Sequence, residues 1–152
     1  IAGNAALKER WPECPLLIGE GDAEKLVDPR QNLSATFGIS LISPAADILV
    51  ADENVYPAAG MDIRVMAIPG HSAGHVVYLI EGCNPPTVFV GDVIFQGSIG
   101  RTDFPDGDFQ ALADGIRGKL YRLPDDTELL PGHGPATTVG WEKEHNPFVR
   151  SV

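Results

Sequence analysis

Three short apolar segments of this chain each run straight into a glycine-flanked histidine or aspartate, and this repeated arrangement constrains the fold more than any other feature. Residues 61–68 lead into Pro69-Gly70-His71, residues 87–90 into Gly91-Asp92, and residues 127–130 into Pro131-Gly132-His133-Gly134. Ile63 and Val65 alternate with Asp62 and Arg64, as a half-buried strand demands, and residues 87–90 are β-branched and aromatic. Strand ends along one edge of a sheet are where sites are assembled, because the strand fixes each side chain and glycine leaves room beside it. Imidazole and carboxylate together form a ligand set for Zn²⁺, Mn²⁺ or Fe²⁺, and a carboxylate can also bridge two ions. His71, Asp92 and His133 are therefore candidate metal ligands.

The remaining sequence alternates strands with helices, the pattern of an α/β or α+β chain. Residues 4–11 read as a short helix capped by Asn4 and stopped by Pro12, residues 16–18 as a strand, and residues 23–27 as a helix capped by Asp22. Residues 32–37 suggest a helical turn closed by Gly38, and residues 39–60 a loop with a strand or two, among them 48–50. Residues 76–80 form the next strand. After a loop over 96–108 comes the best helix, in which Phe109, Leu112, Ile116 and Leu120 recur at spacings of three and four behind the cap Asp108. Residues 141–145 suggest a last helical turn. Without repeats or linkers, residues 1–152 are expected to form one domain.

Composition excludes some functions. A net charge of -10 repels phosphate backbones and anionic lipid surfaces, so neither nucleic acid nor membrane is an expected partner. No apolar run reaches the ~20 residues that span a bilayer, and no leader pattern opens the chain. Cys14 and Cys83 make no CxxC pair or disulfide framework, which fits a reducing, cytoplasmic location.

The motifs Pro69-Gly70-His71-Ser72-Ala73-Gly74-His75, Phe89-Val90-Gly91-Asp92, Gly97-Ser98-Ile99-Gly100-Arg101-Thr102-Asp103 and Pro131-Gly132-His133-Gly134-Pro135 occur in an order and spacing that resemble the metallo-β-lactamase superfamily, and within it the glyoxalase II-like hydrolases. The resemblance implies an αββα sandwich with a binuclear site holding two divalent metal ions, Zn²⁺ first, with Fe or Mn as alternatives. By matching motif, His71 would bind the first ion, Asp92 would bridge both and orient a metal-bound hydroxide, and His133 would bind the second. The activity implied is hydrolysis of a small-molecule acyl thioester or related acyl bond, with no seryl or cysteinyl nucleophile. Ser72 and His75 are expected to support the ligands from behind. Arg101 and Asp103 either line the substrate site, the arginine gripping a carboxylate, or pair with each other, or Arg101 with Asp106, to shape the loop. Tyr78, Phe95 and Phe104 are expected to pack.

The family's His-x-His-x-Asp-His motif does not occur in this chain, whose opening resembles the helix that follows it. The chain is therefore expected to be the C-terminal portion of such an enzyme, lacking its N-terminal strands. An incomplete sandwich would expose apolar surface and associate with the missing N-terminal segment or with a second copy as a homo-oligomer. The alternative enzyme is the superfamily's iron-dependent persulfide (sulfur) dioxygenase, which resembles this chain in the loop Gly100-Arg101-Thr102-Asp103-Phe104.

Overall fold

A computed structural model of the chain describes residues 1–150. They form two compact units, Ile1–Val50 and the part that begins at Ala51. In the first, helix α1 (Asn4–Arg10) is followed by strand β1 (Leu17–Gly19), 3₁₀ segments at Glu20–Leu26 and Ser34–Phe37, and strand β2 (Ile48–Val50), which pairs parallel to β1. Two expected caps do other work here. Asn4 lies inside α1 and its side-chain amide donates to Ser43 Oγ at 3.0 Å, while Asp22 sits in the 3₁₀ turn paired with Lys25 at 2.8 Å.

The second unit is built on a six-stranded sheet of order β10-β9-β6-β5-β4-β3. Its strands are β3 (Val55–Ala58), β4 (Met61–Ala67), β5 (Val76–Ile80), β6 (Thr87–Gly91), β9 (Glu128–Pro131) and β10 (Thr137–Thr138), and between β6 and β9 lie the small hairpin strands β7 (Ile94–Phe95) and β8 (Ser98–Ile99). The hairpin occupies part of the stretch expected to be loop. Helices α2 (Phe109–Gly118) and α3 (Val139–His145) complete the unit.

Period-two alternation sends Met66, Val77, Val88, Val90 and Leu129 to one sheet face, where they pack with Leu112, Ala113, Ile116 and Leu120. Each fully buried Leu or Ile there contributes about 1.5–3 kcal/mol. Phe109, read as part of this stripe, is instead 46% exposed at the first helical position. On the opposite face Val65, Tyr78, Phe89 and Leu130 stand side by side across four strands, with Phe89 half exposed.

Asp108 caps α2 as expected, its carboxylate accepting the Ala111 N–H at 3.0 Å, and its own N–H donates to Gly70 O at 2.8 Å. Asp108→Ala should therefore lower stability by about 1 kcal/mol, read as a shift in urea midpoint at unchanged slope. An unchanged midpoint would show that the cap is dispensable.

Candidate metal centre

Strand direction brings the three candidate ligands to one edge. β4 and β6 are both antiparallel to β5, so they run the same way, and β9 is parallel to β6 with Gly91 opposite Pro131. The C-terminal ends of β4, β6 and β9 therefore share an edge of the sheet, and the residues that follow them are His71, Asp92 and His133. Gly132 N–H donates to Gly91 O at 2.8 Å, tying the second and third of these turns together.

The carboxylate of Asp92 lies between the two imidazoles. Its Oδ2 is 3.7 Å from His71 Nε2 and 3.9 Å from His133 Nε2, both too long for a hydrogen bond. His71 Nδ1 lies 3.0 Å from the Arg101 carbonyl oxygen, which can only accept. In the neutral ring Nδ1 therefore carries the proton, which leaves the Nε2 lone pair on the side of the Asp92 carboxylate. Two acceptors aimed at one another repel unless a cation lies between them, and a carbonyl behind the far nitrogen is the support that metal-bound histidines receive. The donor set, two imidazoles and a carboxylate, suits divalent ions. Among the described residues no three His, Cys, Asp or Glu side chains gather closely enough to hold one ion. Two imidazoles and one carboxylate are fewer donors than two tetrahedral ions would take.

Backbone and glycine geometry keep the carboxylate in place. A Cβ on Gly132 would lie 2.5 Å from Asp92 Oδ1, and one on Gly91 would lie 2.9 Å from His75 Nε2. His75 lies with its ring centroid 5.6 Å from that of His71 and the two planes 79° apart. Ser72 is buried, and its carbonyl accepts the Gly70 N–H at 3.0 Å. Asp106, which sequence reasoning weighed only as an Arg101 partner, accepts the Ala73 N–H at 3.0 Å and so anchors the His71 loop. An acidic residue in a Gly- and Pro-rich loop carries no pattern that would mark this role.

The two histidines differ in their surroundings. The His71 side chain is 20% exposed and has Phe104 edge-on at 6.1 Å, whereas His133 is 73% exposed and stacks on Phe95 at 4.4 Å with 23° between the rings. Phe95 and Phe104 pack, as expected, but what they pack against is the candidate ligands.

Arg101 and Asp103 hold each other. Nε and one terminal nitrogen of the guanidinium donate to the two Asp103 oxygens at 2.7 Å each, and the guanidinium carbon sits 4.2 Å over the Phe104 ring. Of the two roles open to Arg101 from sequence, the structure displays the loop-shaping ion pair. The Arg101 hydrogen bonds pull the Asp103 carboxyl down from 3.8 to about 2. A depressed folded-state value means that the pair supports the loop above pH 3.8 and loses that support as the pH falls through about 2. The Asp103 carboxyl resonance should accordingly titrate near 2, together with the Arg101 Nε signal, and a midpoint at 3.8 would show that the fork does not persist in solution.

Comparison with known proteins points the same way. A sequence profile described as the metallo-β-lactamase superfamily matches residues 1–133. Hydroxyacylglutathione hydrolase GloC of Haemophilus influenzae is 46% identical over 92 residues, 60% of this chain and 42% of that protein. The probable metallo-hydrolase YqgX of Bacillus subtilis is 35% identical over 144 residues, 94% of this chain and 67% of that protein. The chain thus spans between 42% and 67% of the length of these curated relatives. Among solved structures, the BLEG-1 B3 metallo-β-lactamase superposes at a TM-score of 0.91 with 34% identity, over 99% of this chain and 72% of that one. TTHA1623 in a di-iron-bound form superposes at 0.78 with 32% identity, over 97% and 71%. ETHE1 from Myxococcus xanthus superposes at 0.74 with 28% identity, over 95% and 55%.

Proposed function

The chain belongs to the metallo-β-lactamase superfamily, and from that premise we propose that it is part of a metal-dependent hydrolase of the glyoxalase II-like type, cleaving a thioester or related acyl bond. The observation that carries this reading is the Asp92 carboxylate between two imidazole Nε2 atoms, with His71 Nδ1 held 3.0 Å from the Arg101 carbonyl oxygen. The matches to GloC and YqgX support it.

His71 would contribute to one ion, His133 to the other, and Asp92 to both. Bound divalent ions, with Zn²⁺ first and Fe or Mn as alternatives, supply Lewis-acid polarisation of the acyl carbonyl and a water acidified to a pKa of ~7. Asp92 would then serve as the fixed acceptor beside which that water is oriented for attack. His71, backed by the Arg101 carbonyl, holds its side of the site rigid, while exposed His133 leaves the other side open to substrate. The remaining ligands would come from a segment outside these residues, which would also cover the sheet face that carries Phe89. We propose a cytoplasmic setting on cysteine usage alone; no helix among the described residues is long and apolar enough to cross a membrane.

A second reading, persulfide dioxygenation on iron, is favoured by the match to ETHE1. One experiment separates the two: the complete protein is given a glutathione thioester, a glutathione-free thioester and a persulfide, with thiol release and oxygen uptake followed before and after chelation. Thiol release abolished by chelator and restored by Zn²⁺ is expected. Oxygen uptake on the persulfide without thiol release would replace hydrolysis by dioxygenation.

A further inference from the structure

Glu142 is fully buried, 0% exposed, in a chain whose other carboxylates are mostly solvated. A buried carboxylate is costly unless its hydrogen bonds are made. Here three groups converge on it and all are donors. Gly97 N–H reaches its two oxygens at 3.3 and 3.2 Å, Thr137 Oγ donates at 2.6 Å and Asn146 Nδ2 at 2.7 Å. The same Asn146 amide, also fully buried, donates to Ser98 O at 2.9 Å. Both ends of this network grip the tip of the β7–β8 hairpin, at Gly97 and Ser98. The hairpin contains Phe95, the residue stacked on the His133 ring. His133 is otherwise largely exposed, and among the described residues no ring-nitrogen hydrogen bond comparable to that of His71 orients it.

We propose that Glu142 is a positioning residue for the metal centre: it clamps the β7–β8 hairpin so that Phe95 holds the His133 imidazole with Nε2 towards Asp92. His71 is oriented by a hydrogen bond to its own ring, and His133 by a stacked ring that a buried carboxylate keeps in place. A glutamine at 142 would set an amide donor against the donors of Gly97, Thr137 and Asn146, so Glu142→Gln releases the hairpin tip with little change in volume. Phe95→Leu leaves the buried network whole and removes the last link, and Phe95→Tyr keeps the stacking ring.

The inference rests on the reading of His133 as a ligand, and the test separates the two. Zn²⁺ is titrated into the metal-free complete protein and the ring signals of His71 and His133 are followed individually by NMR, with the unfolding midpoint measured alongside. In Glu142→Gln and in Phe95→Leu the Zn²⁺ concentration for half-response at His133 should rise about tenfold or more, the cost of losing a partner that orients a ligand. His71 should shift by no more than about twofold, within the few tenths of a kcal/mol to which independent sites behave additively, and Phe95→Tyr should respond as the unsubstituted chain does. If Glu142→Gln fails to fold, the two Phe95 variants decide alone. Unchanged His133 midpoints, or equal weakening at both histidines, would overturn the proposal, the second by showing a merely structural role. A His133 that ignores Zn²⁺ in the unsubstituted chain, while His71 responds, would instead remove the ligand reading and the proposal with it.

Discussion

Gly100→Ala is expected to destabilise the protein by about 3 kcal/mol or more, the upper end of what overpacking costs. Gly100 is buried between β8 and the loop that carries Arg101, and its N–H donates to Val93 O at 3.1 Å. A Cβ there would lie 1.9 Å from the carbonyl oxygen of Asp92 and 3.2 Å from His71 Cβ. The nearest obstacle is backbone, so no rotamer change relieves it. Either the Asp92 turn or the Gly100 backbone must move, and both are tied into the site, so stability and metal binding should fall together. Gly118→Ala is the control, because nothing lies within 4 Å of a Cβ at that helix end. It should be neutral or stabilising by up to about 1 kcal/mol. Urea unfolding of both variants reads the difference, and a loss below about 1 kcal/mol for Gly100→Ala, small beside the usual cost of overpacking, would mean that the turn is softer than its packing implies.

How much of this was legible in the sequence depends on whether a residue's role leaves a period or a spacing. Strand β4 and the Leu112-Ile116-Leu120 stripe were legible because two-residue and three-to-four-residue periods follow from one-sided burial, and β6 because its residues are β-branched and aromatic. His71, Asp92 and His133 stood out in the sequence because each follows an apolar strand, is flanked by glycine and falls in a motif that carries the resemblance. The β7–β8 hairpin was not, since strands of two residues have no period to display. Asn4 and Asp22 look like caps by type, but their side chains found tertiary or turn partners. Glu142 was hidden because it stands among Lys143, Glu144 and His145, which mark a solvated helix face. Its spacing of three from Val139 and four from Asn146 was the available signal, placing a carboxylate on the buried side. Phe95 was assigned to packing, which is correct, but sequence could not say that it packs on His133.

Asp92→Asn is expected to lower metal binding and hydrolysis by about 10³-fold or more, while leaving the fold intact. The carboxylate lies between the two imidazoles, and in the proposed reading it would be shared by both ions, so its loss would weaken both at once. If the ions supply about 4 kcal/mol of charge stabilisation in the transition state, their loss costs about 10³-fold in rate. Folding should be unaffected, because the amide matches the carboxylate in size and no hydrogen bond from Asp92 to either imidazole is lost. Gly132→Ala tests the same group from the other side. Its Cβ would lie 2.5 Å from Asp92 Oδ1, a side-chain atom that can rotate away, so the expected effect is displacement of the carboxylate rather than unfolding. Metal affinity should drop about 10–100-fold, as when a ligand's surroundings are disturbed. The measurements are metal content after dialysis, kcat/KM for thioester cleavage by the complete protein, and the urea midpoint. An Asp92→Asn protein that keeps both its metal and its activity would refute the bridging role, and an Asp92→Asn protein that unfolds would show that the carboxylate supports the turn rather than the ions.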